Sequence, residues 1–284
     1  MSLVSHRQAL QAAQALGLDR LDAQLLLLHA LQRPDSDRAW LLAHDDDLLS
    51  GPTADIYRKL TLRRTAGEPL AYIVGYKEFF GLQLLVDPRV LVPRPDTETL
   101  VHWALELLQA PELAGSRSLL DLGTGSGAIA LAVAHTQRQI GQSTVVVAVD
   151  ASTDALEVAQ ANALRLRADI GFIESHWLNK VSGRFHVIAS NPPYIASADP
   201  HLAALTHEPL RALTAGLDGL DDIRQIIQNA PDHLEADGWL LIEHGYDQQA
   251  AVLELLDGRG FRQPQSRHDL AGTARCSGAR WLGR

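Results

Sequence analysis

From Ser118 onward, short apolar runs alternate with stretches patterned for helix, and this alternation restricts the fold more than any other feature. SLLDL precedes a predicted helix over Ala128–His135, TVVVAVD precedes one over Ala155–Leu166, and IGFIE and FHVIAS follow as further strands. A helix over Asp221–Leu234, the strand WLLIE and a helix over Gln248–Leu256 continue the series, and GARWLG reads as a closing strand. The pattern predicts an α/β fold built on a doubly wound, mostly parallel sheet.

The first seventy or so residues have a different texture. Leu3, Ala9, Leu10, Ala13 and Leu16 recur at helical spacing with Gly17 as a stop, and Leu21–Leu31 ends before Pro34. Trp40–Ala43 and Ile56–Leu62 complete a small helical bundle, the latter after a turn at Ser50, Gly51 and Pro52, while Asp45–Asp47 reads as a solvated loop. FFGLQLLVD and VLVPRPDTETL then suggest a stiff hairpin or extended segment, with Asp96 or Thr97 capping a helix over Glu98–Gln109. The expected division is a helical domain over 1–75, a linking segment over 76–96 and an α/β domain over 97–284. The length of 284 residues accommodates two domains.

The most informative stretch in the α/β region is LLDLGTGSGAIALAVA. A strand runs straight into Gly123, Gly125 and Gly127 and then a helix, which presents backbone N–H groups and a positive helix end to a ligand. Asp150 ends the next strand, where a carboxylate can accept hydrogen bonds from both hydroxyls of a ribose. Together they describe a site for a nucleoside-containing cofactor. Gly123, Gly125 and Ala128 also satisfy the dinucleotide pattern, so the glycines do not choose the cofactor. Asp121, an acid placed to face a cationic amino group, and the lack of a hydride-transfer site favour S-adenosyl-L-methionine.

DLGTGSG, AVD and NPPY, in this order, resemble a class I S-adenosylmethionine-dependent methyltransferase that acts on amino groups. More narrowly, EPLAYIVG, EFFGL, VLVPRPDTE, NPPYI, the EP of HEPLRAL and GLDGLDDIRQII resemble the release factor glutamine methyltransferase family, from Glu68 to nearly the end of the chain. The resemblance implies a Rossmann-like seven-stranded sheet behind a small N-terminal helical bundle that docks the substrate. It implies N5-methylation of the glutamine in the GGQ motif of class I peptide chain release factors. It also implies cofactor contacts from Asp121, Gly123, Thr124, Gly125, Ser126, Gly127, Asp150, Trp177 and Asn191. The family usually has a glycine and an acid before this tryptophan, where this chain has Ser175 and His176.

The chemistry of NPPY agrees with a planar NH2 substrate. An amide nitrogen is a poor nucleophile because its lone pair is delocalised into the carbonyl, so it must be oriented. The Asn191 side-chain oxygen and the Pro192 carbonyl can accept its two N–H groups and aim the nitrogen at a methyl donor. Pro192 and Pro193 add no competing donors and stiffen the backbone, and Tyr194 offers a flat surface and a hydroxyl. Asn191 and Pro192 are therefore the expected catalytic pair, and no general base is assigned.

Composition removes other readings. A net charge of −9 with no lysine–arginine cluster disfavours a nucleic-acid substrate, against the alternative of an exocyclic-amine methyltransferase on adenine or cytosine. A non-catalytic adaptor is disfavoured by the intact Asp121, Asp150 and NPPY. The histidines show no HExxH spacing, so no metal is expected. No apolar run approaches a membrane span, no secretory signal is evident, and the sole cysteine, Cys276, excludes an intrachain disulfide, which together place the chain in the cytoplasm. Cys276 is expected to be inert. Arg94 and Glu98 are expected near the cofactor mouth or as a surface ion pair at a capped helix start.

Overall fold

The structure, a computed structural model, describes residues 4–110 and 117–283. The chain divides into two compact units, Met1–Tyr76 and Lys77–Arg284.

The first unit contains five α-helices among its described residues: α1 (His6–Ala15), α2 (Arg20–Ala30), α3 (Arg38–Ala43), α4 (Gly51–Thr65) and α5 (Leu70–Val74). Ser5 opens α1 with a capping box, its hydroxyl accepting from the Gln8 N–H while Gln8 reaches back to the Ser5 N–H. Buried residues surround α2, with Ala23, Leu26, Leu27 and Leu28 closed to solvent and packed against Leu41, Tyr57 and Ile73. Two expectations change here. Ser50, Gly51 and Pro52 are not a turn before a helix but the start of α4, because Ser50 accepts from the Thr53 N–H and proline is tolerated in a first turn. Asp45–Asp47 form a largely exposed turn, as expected, with Asp45 and Asp46 paired to Arg7 at the surface. Leu16 is exposed because it follows the last turn of α1, while Leu3 lies outside the described residues. The short α5, within EPLAYIVG, has no counterpart in the sequence reading.

From Tyr76 onward, β1 (Tyr76–Phe79) and β2 (Leu82–Leu85) form a two-stranded sheet. A seven-stranded sheet then follows in the order β5-β4-β3-β6-β7-β9-β8. In chain order its elements are α6 (Glu98–Leu108), β3 (Arg117–Leu122), α7 (Ala128–Gln139), β4 (Thr144–Asp150), α8 (Thr153–Leu166), β5 (Gly171–Glu174) and β6 (Phe185–Ser190). After these come α9 (Asp221–Asn229), β7 (Leu234–Glu243), α10 (Gln249–Arg259), β8 (Arg262–His268) and β9 (Ala274–Trp281). The pairings from β5 through β7 are parallel, and β9 runs antiparallel to both β7 and β8. This is the Rossmann-like sheet expected from the alternation.

Side chains alternate across the sheet, so neighbouring residues serve opposite cores. Leu119, Val187 and Leu241 pack under α6 and α7, while Leu120, Ile188 and Leu240 pack under α9 and α10. The helix expected to reach Leu234 stops at Asn229, because Pro231 has no N–H to continue it and a 3-10 turn, Ala230–His233, follows. The sequence reading also missed β8, RQPQSRH, whose polar, largely exposed residues and Pro264 suit an edge strand and lack an apolar pattern. Among the described residues no helix is long and apolar enough to cross a membrane.

At Gly278 on β9 a Cβ would stand 2.6 Å from Leu241 Cδ2, 2.7 Å from the Leu240 carbonyl and 2.9 Å from Trp103 Cη2. Gly278→Ala is predicted to cost about 1–3 kcal/mol, read as a lower denaturation midpoint; an unchanged midpoint would show that α6 and β9 can separate freely.

Candidate active site

Strand register brings the predicted residues together. Leu122 pairs with Val149 on β4 and with Ser190 on β6, and Ser190 pairs with Ile242 on β7. The next residues, Gly123, Asp150, Asn191 and Glu243, therefore leave the sheet at one level, at the carboxyl ends of parallel strands. The chain runs from β3 outward to β4 and β5, then returns to the other side of β3 as β6. Ligands bind at such a switch point. A cavity of about 330 Å³ lies there, with Gly123, Gly125, Asp150, Trp177, Asn191 and Pro193 on its wall.

The Asp150 carboxylate is held by two backbone donors, Gly125 N–H to Oδ2 and Ser152 N–H to Oδ1, both at 2.9 Å. Each oxygen retains lone-pair capacity for a ligand hydroxyl. Gly123 sits at φ +72°, and a Cβ there would come within 3.2 Å of the Trp177 ring. Trp177 itself adopts φ +47°, a costly conformation for a bulky residue. The Ser175 N–H donates to the Asp150 carbonyl, and Trp177 Nε1 donates to Asp222 Oδ1 at 3.0 Å, so both ends of the segment are tied. Ser175, the departure from the family pattern, is buried and accepts from the Lys180 N–H, while the exposed His176 meets the Trp177 ring edge-on.

Other expected cofactor contacts lie behind the wall. Asp121, Thr124, Ser126 and Gly127 are all buried and are not among the residues lining the cavity. Asp121 Oδ2 accepts from the Thr124 hydroxyl at 2.6 Å and the Ala130 N–H at 3.1 Å, which locks the glycine turn onto the start of α7. Its Oδ1 is buried without a partner. Burial pushes the Asp121 carboxyl up to about 7, opposed by the bonds from Thr124 and Ala130 and assisted by nearby Asp150. The Ser126 carbonyl accepts from Asn162 Nδ2, and Gly127 caps α7.

In NPPY, Asn191 and Pro193 face the cavity, Pro192 is buried, and Tyr194 stands over Glu243 with its hydroxyl 3.5 Å from Oε1. The stiffness of this segment is not only that of its prolines. Gln248 Nε2 donates to the Tyr194 carbonyl at 3.0 Å, and Ile195 exchanges backbone bonds with Leu213 and Ala215. Asn191 Nδ2 donates to Thr97 Oγ1 at 3.1 Å.

That last bond overturns the capping role expected of Thr97. A 3-10 turn, Pro95–Thr97, leads into α6, and neither Asp96 nor Thr97 caps it with its side chain; Thr97 is committed to Asn191, and Asp96 pairs with Arg275. Arg94 and Glu98 do not pair with each other either. Arg94 Nη2 meets the buried Glu208 at 2.5 Å, Glu208 also accepts from the Val92 N–H, and Glu98 accepts from the Phe80 N–H. Glu243 was not singled out by sequence reasoning, and Glu208 and Asp222 entered only within the motifs HEPLRAL and GLDGLDDIRQII, with no role of their own. The signal for Glu243 was present, since it is an acid closing an apolar strand at the edge where ligands bind. Cys276 is buried in the core, which pushes its thiol up to about 12.

Comparison with known proteins follows the same outline. The family description "Methyltransferase small domain" matches residues 103–250, and "PrmC N-terminal domain" matches residues 3–75. The release factor glutamine methyltransferase of Burkholderia pseudomallei (strain K96243) is 45% identical over 285 residues, covering 97% of this chain and 96% of its own length. That of Bordetella pertussis (strain Tohama I) is 46% identical over 266 residues, covering 92% of this chain and 95% of its own. A methyltransferase structure from Pyrococcus furiosus matches with a TM-score of 0.52 at 21% identity, over 80% of this chain and 98% of that one, a likeness of fold alone.

The raised Asp121 carboxyl makes stability depend on pH. The native state keeps a proton that the unfolded chain releases in the ordinary carboxylate range, so stability is lost as pH rises from about 4 to about 7. Melting curves should show a decline across this window that is smaller in Asp121→Asn, though not absent, because Glu243 titrates similarly. An equal decline in both proteins would mean that Asp121 is ionised throughout.

Proposed function

The chain belongs to the release factor glutamine methyltransferase family, and on that premise we propose that it methylates N5 of the glutamine in the GGQ motif of class I peptide chain release factors, using S-adenosyl-L-methionine. The observation that carries this reading is the common level at which Gly123, Asp150 and Asn191 leave β3, β4 and β6, because it sets cofactor-type and amide-type groups on one cavity wall.

The residues fit the cofactor. Asp150 offers two oriented acceptors for ribose hydroxyls, Gly123 and Gly125 allow close approach to the backbone, and the Trp177 ring offers an apolar face for adenine. Asp121 Oδ1, buried beneath the turn without a partner, supplies an acceptor for a cationic amino group. When bound, S-adenosyl-L-methionine supplies a methyl already activated by a positively charged sulfur. The protein's own task is then positioning. Asn191 Oδ1 and the Pro192 carbonyl accept the two N–H groups of the substrate amide and hold its nitrogen in line, and the proline nitrogens offer no donor to compete. Tyr194, whose pKa burial raises, stays a neutral hydroxyl beside the amide plane. The N-terminal unit, with its separate core, docks the release factor away from the reacting glutamine.

Mass spectrometry of a GGQ peptide incubated with enzyme and S-adenosyl-L-methionine should show the gain of one methyl on glutamine. An unmodified peptide from a folded, cofactor-binding enzyme would sink the assignment. Asn191→Ala should lower kcat by roughly 100-fold or more while leaving cofactor affinity nearly unchanged. Asp150→Ala should weaken the cofactor about 10- to 100-fold; the reverse ranking contradicts these roles. Intact release factor should show a much lower KM than the peptide, and equal values would remove the docking role.

A further inference from the structure

Asn191 can place either end of its side-chain amide toward the cavity, and only the oxygen can accept a substrate N–H. A structure with ordinary side-chain freedom would not choose between them. Here the choice is made from below. Asn191 and Glu243 follow the paired residues Ser190 and Ile242 on β6 and β7, so they are neighbours across the sheet edge. Thr97, 4% exposed at the end of the 3-10 turn before α6, is bonded to Asn191 and stands close enough to Glu243 to favour its ionised form. A threonine hydroxyl has one proton to give. Were that proton turned to the Glu243 carboxylate, whose Oε2 has no other hydrogen-bond partner, Thr97 Oγ1 could only accept from Asn191, the direction in which Nδ2 meets it at 3.1 Å. The amide NH2 is thereby captured and the carbonyl oxygen is left for the cavity.

We infer that Thr97 and Glu243 are positioning residues that fix the Asn191 amide with its oxygen toward the substrate, an inference that rests on the reading of Asn191 as an acceptor for the glutamine amide. Glu243 is 2% exposed, its Oε2 has no hydrogen-bond partner, and its Oε1 faces the Tyr194 hydroxyl. A buried acid with a spare oxygen contributes poorly to stability, which argues for a role in the site. Protonation weakens the Glu243 carboxyl as an acceptor and lets it donate to Thr97 Oγ1 instead, which frees the Thr97 proton for Asn191 Oδ1 and permits the amide to turn. Burial pushes Glu243 up to about 7; Asp96 raises it further, while Thr97, Arg275 and Tyr194 oppose the rise. Tyr194 and Cys276, its register partner on β9, are themselves raised and stay neutral across this range. Arg275 is raised and stays charged. Glu243 is thus the group of this cluster that changes state near neutrality.

The test is steady-state methylation of a GGQ peptide with cofactor affinity measured separately. Thr97→Val, equal in shape but lacking the hydroxyl, should lower kcat by about tenfold, the equivalent of one hydrogen bond, with cofactor Kd unchanged. Thr97→Ser should restore most of the loss. In the native enzyme kcat should fall as pH drops below about 7, and Glu243→Gln should flatten that fall. Native kcat in Thr97→Val, or an unaltered pH profile in Glu243→Gln, overturns the inference if Asn191→Ala abolishes turnover. If Asn191→Ala itself remains active, the underlying reading of Asn191 fails and takes this inference with it.

Discussion

The parallel register of β3 with β4 and β6 is the constraint on which the site depends. Hydrogen bonds between main chains hold Leu122 level with Val149 and Ser190, and Gly123, Asp150 and Asn191 follow these three positions. A slip of one residue would turn Asp150 or Asn191 to the opposite face of the sheet. The register is protected by the two cores, since Leu119 and Leu120, Val187 and Ile188, and Leu240 and Leu241 each commit neighbouring side chains to opposite layers. Packing that specifies the fold therefore also specifies which groups meet at its carboxyl edge.

Beneath this edge lies a set of buried carboxyl groups that a stability argument alone would not place there. Asp121 ties the glycine turn to α7, Glu208 ties Arg94 and the Val92 N–H to the loop after NPPY, and Glu243 stands under Thr97 and Tyr194. Each is desolvated, and two are raised to about 7 as a result. Their common property is that each holds a backbone or side-chain donor in a fixed direction. For a reaction in which positioning supplies much of the rate, that is what the protein can contribute.

Much of the architecture was legible because it follows from local pattern. Apolar runs followed by helical periodicity predicted the sheet, and glycines after SLLDL marked the turn at its centre. What escaped were elements without such a pattern. β8 is a polar edge strand, α5 is a single short helix inside a motif, and the end of α9 was set by Pro231 rather than by hydrophobic spacing. At the site, Asp150, Trp177 and Asn191 could be named from the chain, whereas the Thr124 and Ala130 bonds that hold Asp121 behind the cavity wall could not.

By itself the sequence determined the fold class and the position of the glycine turn, and it raised the expectation of a substrate bearing a planar NH2, because each of these is written in residues close together along the chain. Only the tertiary structure decided the partners. Thr97 reads locally as a helix cap, yet it meets Asn191 across a separation of 94 residues, and Arg94 meets Glu208 across 114. Such pairings depend on strand order and on which face each strand turns inward. They are settled only when the sheet has closed and water has been excluded, so that the way Asn191 points is a property of the assembled layers.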